Sequence, residues 1–327
     1  MRKRANAKLK SLPLGVIIGI SFLILLAVAF LSLFFGAAHL SIQEILGFHD
    51  ILRFVRIPRM LAAIFAGAGL AGAGVILQTL LANPLAGPNI IGVNSSAGFF
   101  AILWGVLFPL VPGIQPVVAF LGSLLAVLII YGLSRKMGAS KVAILLTGVI
   151  LNSLFNAGTE ALYTFFPDML VPVAAFRTGG LSGVRTSILY PAIVLIFATI
   201  ILVWRKANDL ELLSLGDEVA HGLGLPVKKN RFLFLVCAAC MAGAAVSFAG
   251  LIGFLGLIVP HAVRRLVGSE IRYLFPLSVL WGGIFMVICD TYARCVFAPF
   301  ELSVGIVLSI LGAPIFIYIL LSKNKFV

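Results

Sequence analysis

Apolar residues in this chain run in long blocks rather than in short alternations. Between Arg59 and Arg135 there is no Asp, Glu, Lys or Arg, a run of 75 residues. A helix crossing a bilayer needs about 20 mostly apolar residues, so this run alone holds roughly three crossings. Charges, prolines and glycines divide the chain into about ten apolar segments, which predicts an all-α polytopic membrane protein forming one transmembrane domain over residues 1–327.

Span 1 is expected at about 12–35, followed by a polar segment at 39–59. Span 2 covers about 60–81 and ends at Asn83-Pro84 and Gly87-Pro88, because proline cannot continue the helical hydrogen-bond ladder. Spans 3, 4 and 5 follow at about 93–108, 117–134 and 142–162. A more polar stretch, 163–187, is expected to hold a short surface helix. Span 6 lies at about 188–204, and a charged loop fills 205–231. The uncharged run 232–263 is too long for one crossing and short for two. Gly250, Gly253 and Gly256 interrupt it, giving span 7, a glycine-rich break and a short span 8. Spans 9 and 10 follow at about 274–295 and 303–321. Ala71-Gly72-Ala73-Gly74-Val75 in span 2 is echoed by Ala242-Gly243-Ala244-Ala245-Val246 in span 7. Those spans are five apart and run in opposite directions, as an inverted internal repeat requires.

Composition agrees with this pattern: 61% of residues are hydrophobic and 11% charged, against about 25% charged in soluble domains. The net charge of +13 does not point to a nucleic-acid partner, because the basic residues sit in short clusters between apolar blocks. Segments placed inside by a ten-span map carry 18 of the 24 Lys and Arg, so both termini and the 205–231 loop are expected in the cytoplasm. The basic stretch from Arg2 to Lys10 precedes an apolar stretch longer than a signal-peptide core, and is read as leading into a retained first span.

Several motifs have structural readings. Gly67, Gly69 and Gly72 match GxGxxG, but no strand precedes them, and small residues in a membrane helix let neighbouring helices approach closely. The Asn94-Ser95-Ser96 sequon falls at a helix start on the expected cytoplasmic side. Cys237 and Cys240 form a CxxC inside an apolar run with no second pair, which suits buried packing. No phosphate-binding GxxxxGK[ST] and no HExxH occur, so no catalytic residue, metal site or cofactor is expected. Acidic residues avoid the centres of the spans; Asp290 comes nearest and is placed close to an end.

Two segments carry more information than composition. The first runs from Arg56-Ile-Pro58-Arg59 through Gln78 and Asn83-Pro84-Leu85-Ala86-Gly87-Pro88-Asn89 to Gly92-Val93. The second is Gly250-Leu-Ile-Gly-Phe254-Leu-Gly256-Leu-Ile-Val-Pro260-His261-Ala-Val-Arg264. With Gly216-Asp217-Glu218, Asp290 and Arg294, and Glu301 to Gly305 and Gly312-Ala-Pro314, the ordered set resembles the FecCD-type permeases of bacterial ABC importers. The resemblance runs nearly end to end. It implies import of a metal chelate, a ferric siderophore first, with haem and cobalamin as alternatives within the family. It also implies cytoplasmic ATP-binding subunits that hydrolyse ATP, an extracytoplasmic solute-binding protein, a second permease subunit and a bacterial cytoplasmic membrane.

Three sites carry over by resemblance. Arg56, Arg59 and Arg294 match outer arginines that meet acidic residues of the binding protein, a task suited to the planar guanidinium fork. Leu215, Gly216, Asp217, Glu218, Ala220, Gly222, Leu223 and Gly224 match the segment that sits in a groove of the ATPase. Ala139, Ser140, Lys141 and Val142 fall where an inner gate is expected, with spans 5 and 10 lining the path. Arg177, in Phe-Arg-Thr-Gly-Gly-Leu-Ser, departs from a more aromatic family pattern near the substrate entrance. The rival from another class is an ion-coupled secondary transporter acting alone.

Overall fold

The computed structural model describes residues 13–36, 50–89, 91–136, 141–167 and 176–321. The terminal basic clusters, the polar residues 37–49, residues 168–175 and the gate positions Ala139 and Ser140 lie outside them. Every element among the described residues is helical. Helix α1 is Leu14–Ser32. A π-helical turn, Leu52–Arg56, leads into α2, Ile57–Leu80. Then come α3 (Val93–Leu107), α4 (Gln115–Lys136), α5 (Lys141–Phe165) and α6 (Thr186–Arg205). Two short helices follow, α7 (Ala207–Ser214) and α8 (Asp217–Gly222). The chain continues with α9 (Val227–Ala249), α10 (Leu255–Val267), α11 (Ile271–Cys295) and α12 (Val304–Leu321).

Seven of these are long and apolar enough to cross a membrane: α1, α2 with its π turn, α4, α5, α6, α9 and α11. Helix α3 and the apolar part of α12 are shorter, and α10 has 13 residues. Among the described residues, seven helices are thus of crossing length, where ten crossings were expected, and the other three apolar segments form shorter helices. Large apolar side chains such as Leu23 and Phe30 on α1, and Ile150 and Leu154 on α5, point outward. Water would not tolerate so large an apolar surface; lipid does.

Helix α2 lies at the centre, and its small residues explain why. A Cβ on Gly67 would strike the Gly282 carbonyl of α11, and one on Gly69 would lie 2.9 Å from the Met241 carbonyl of α9. One on Gly74 would strike the backbone of Gly256 in α10. Bare backbone on both sides thus lets three helices close on α2, the packing reading of the GxGxxG match. Asn94 is buried in the interior, away from any glycosylation site on the surface.

The two halves of the chain pack alike. Helix α2 runs antiparallel to α11, with Arg59 near Asp290 and Gly67 against Gly282. Helix α4 runs antiparallel to α9, with Ser123 against Gly243 and Tyr131 on Phe232. Helices α3, α4 and α5 contact one another as α10, α11 and α12 do. The inverted repeat faintly visible in the sequence is thus present in the packing.

The breaks in the two halves meet inside the molecule. Asn94, in the first turn of α3, donates to the Ile252 carbonyl just before α10, at 3.1 Å. Gln78 of α2 donates to the Gly256 carbonyl at 3.1 Å. Gly250 closes α9 at φ +70° and Gly92 precedes α3 at φ +77°, backbone that glycine adopts without penalty.

Candidate functional site

At one end of the bundle, three arginines and two acids converge from distant parts of the sequence. Arg56 belongs to the π turn and Arg59 to the start of α2. Asp290 and Arg294 stand one turn apart at the end of α11, and Glu301 lies between α11 and α12. Arg59 reads Asp290 with two nitrogens along one edge of its fork: Nε lies 3.0 and 3.1 Å from the two carboxylate oxygens, and Nη2 lies 3.0 Å from Oδ1. Its remaining nitrogen, Nη1, donates to Glu301 Oε2 at 2.6 Å. Arg294 Nε lies 3.2 Å from Asp290 Oδ2, and its Nη2 donates to the Thr291 hydroxyl at 3.2 Å. Arg56 donates to the Leu33 carbonyl past the end of α1.

The arginines named from the sequence are therefore together, but not as exposed rim charges. Arg56, Arg59 and Arg294 are only 5%, 6% and 5% exposed, and Asp290 is 1% exposed. Three guanidinium groups against two carboxylates leave the cluster one positive charge in excess. Burial alone would push the Glu301 carboxyl up, but the hydrogen bond and charge of Arg59 outweigh it, so the group sits below its ordinary value. Asp290 and Glu301 were quoted in the sequence motif without a role; their contact with Arg59 has no local signal. Arg177 stands apart, paired with Glu160 at 3.0 Å in an exposed bridge and lying over the Tyr163 ring.

Helices α7 and α8 lie at the opposite end of the bundle and are fastened to it. Glu211 accepts a hydrogen bond from the Ile271 backbone N–H at 2.9 Å, so α7 caps the first turn of α11. Asn208 accepts from Arg272 beside it, at 2.9 Å. Asp217 of α8 pairs with the buried Arg231 of α9. The positive φ of Gly216 and Gly224 turns the chain into and out of α8.

Within the segment singled out by sequence, the residues divide. Ala220 is fully buried against the protein's own core. Leu215, Val219 and Leu223 are 59%, 49% and 62% exposed. Val219 and Leu223, four residues apart, share one side of α8, and Leu215 stands at the end of α7 just before it, so the polar loop carries exposed apolar side chains. Val219 was missed, although that spacing is legible in the sequence. Gly222 has open space where a Cβ would stand. Of the gate positions, Lys141 and Val142 open α5, and Val142 is exposed. Among the described residues no cluster of His, Cys, Asp or Glu could hold a metal, and Cys237 and Cys240 are free thiols in α9.

The model of the FecCD transport family matches residues 24–322. The chain belongs to the FecCD transport family. Among its relatives, the Fe(3+)-citrate import system permease protein YfmE of Bacillus subtilis is 35% identical over 97% of this chain and 98% of its own length. The hemin transport system permease protein HmuU of Yersinia pestis is 38% identical over 83% of each chain. The solved structure of a metal-chelate type ABC transporter in an inward-facing conformation superposes with a TM-score of 0.86 at 28% identity. It covers 95% of this chain and 100% of that one. This FecCD protein is accordingly a multi-pass membrane permease subunit of an ABC importer, and ATP hydrolysis belongs to a separate subunit.

Proposed function

We propose that this permease carries a ferric chelate, of the siderophore or citrate class, from an extracytoplasmic binding protein into the cytoplasm. The observation that carries the cargo class is similarity along the whole chain to a ferric-citrate permease. The arginine cluster would face outward and receive carboxylates of the binding protein. Helices α7 and α8 would face inward, with Leu215, Val219 and Leu223 presented to the ATP-binding subunit. Helices α3, α10 and α12 would complete ten crossings, and the apolar faces of α5 and α12 would meet a second permease subunit around the path. Arrangement of the two ends agrees with the charge bias of the sequence.

The test is uptake into proteoliposomes holding the permease with its ATP-binding subunit, supplied with the binding protein and radiolabelled iron as ferric citrate or a ferric siderophore. ATP-dependent iron accumulation is expected, with neither haem nor cobalamin competing. Competition by haem or cobalamin at the same concentration would move the cargo to that class. Accumulation by the permease alone, driven by a proton or sodium gradient, would sink the importer reading.

A further inference from the structure

The two carboxylates of the arginine cluster are held very differently. Asp290 is fixed: it is buried, held by two nitrogens of Arg59 and paired with Arg294. Glu301 differs in each respect. Its side chain is 32% exposed, and it holds Arg59 through the single nitrogen Nη1. Its other contact is a 3.3 Å hydrogen bond from Ser182. It also stands three residues before α12 begins at Val304, so its grip on Arg59 ties the start of α12 to α2. Thr178 and Ser303, 3.1 Å apart, fasten the same stretch to the segment before α6.

We propose that Glu301 is an internal stand-in for a carboxylate of the binding protein, and that docking displaces it from Arg59. A guanidinium whose other two nitrogens are committed to Asp290 has one nitrogen left for a second anion. The docking carboxylate takes Nη1, and Glu301 swings toward water. The link between α2 and the start of α12 is released at that moment. Docking is thereby weakened by the contact it must replace, and the release is confined to a loaded complex. This rests on the proposed docking role of Arg59.

The experiment uses the permease with its ATP-binding subunit in nanodiscs, and measures binding-protein affinity by interferometry for wild type, Glu301→Gln, Ser182→Ala and Arg59→Gln. Removing the competing, partly exposed carboxylate should tighten binding about fivefold in Glu301→Gln. Ser182→Ala, which only loosens Glu301, should shift affinity in the same direction by a smaller factor, and Arg59→Gln should weaken it. Size-exclusion profiles and basal ATPase activity report that each variant is assembled. Unchanged or weaker binding in both Glu301→Gln and Ser182→Ala, with binding still lost in Arg59→Gln, would overturn displacement and leave the docking role intact. Unchanged affinity in all three would overturn both.

Discussion

Replacing Asp290 by Asn removes one charge that two guanidinium groups share. In the native cluster its carboxylate is 1% exposed and lies within 3.2 Å of both Arg59 and Arg294. After substitution, those buried cations keep only the carboxylate of Glu301, which touches Arg59 alone among the arginines of the cluster. Breaking one side of a buried ion pair costs about 3–5 kcal/mol, because the uncompensated charge stays out of water. Glu301→Gln is the internal control. It removes a partly exposed partner and leaves Asp290 in place, so its cost should be about 0.2–1 kcal/mol. Unfolding of purified wild type and variants, titrated with SDS in mixed micelles, gives both numbers. The double variant Asp290→Asn/Arg294→Gln should recover part of the loss, since it removes a stranded cation with its lost partner. If Asp290→Asn and Glu301→Gln cost the same, the cluster is not the buried network described here.

Further outcomes follow from other parts of the fold. Val219→Asp or Leu223→Asp should abolish stimulation of ATPase activity by the loaded binding protein while leaving permease stability within about 0.5 kcal/mol of wild type, because both side chains are exposed. Ala220→Arg should instead destabilise the permease itself, read as a lowered melting temperature, because Ala220 is inside the core. Gly67→Ala should cost about 1–3 kcal/mol by forcing α2 from the Gly282 carbonyl, whereas Gly15→Ala, in open space on α1, should be neutral or slightly stabilising in the same unfolding titration. The lowered Glu301 carboxyl contributes stability above its ordinary value of 4.5 that is lost as pH falls through its lower folded value. The gap between wild type and Glu301→Gln should therefore hold at neutral pH and narrow only in acid.

The helical architecture was legible because hydropathy blocks and Pro/Gly breaks are local signals. The break at Gly250–Gly256 and the short helix after it stand where the sequence put them. Element starts were less legible. Span 2 was expected from residue 60, but helix begins in the fifties, so Arg56 and Arg59 belong to it rather than to a preceding polar loop. Lys228, Lys229 and Arg231 likewise lie within α9, since a helix end in the polar region accepts charges that hydropathy treats as a boundary. Burial of Asp290 had no local trace. Its partner Arg59 is 231 residues away, and an acid near the end of a span reads as a marker of the membrane surface. The cap that Glu211 gives Ile271 was hidden for the same reason, being a contact across 60 residues.

Helix α11 touches both of the places where this permease would meet its partners. Its first turn is held by Glu211 and Asn208 of α7, and its last turns carry Asp290 and Arg294. A helix of 25 residues is a strut of about 37 Å whose hydrogen bonds resist stretching. A displacement imposed on one end must then reappear at the other, unless the strut bends. Pro276, one turn from the α7 end, is where its ladder lacks a bond and where bending is easiest. Work done at the proposed ATPase side would thus be delivered along one member, with a built-in joint near its base.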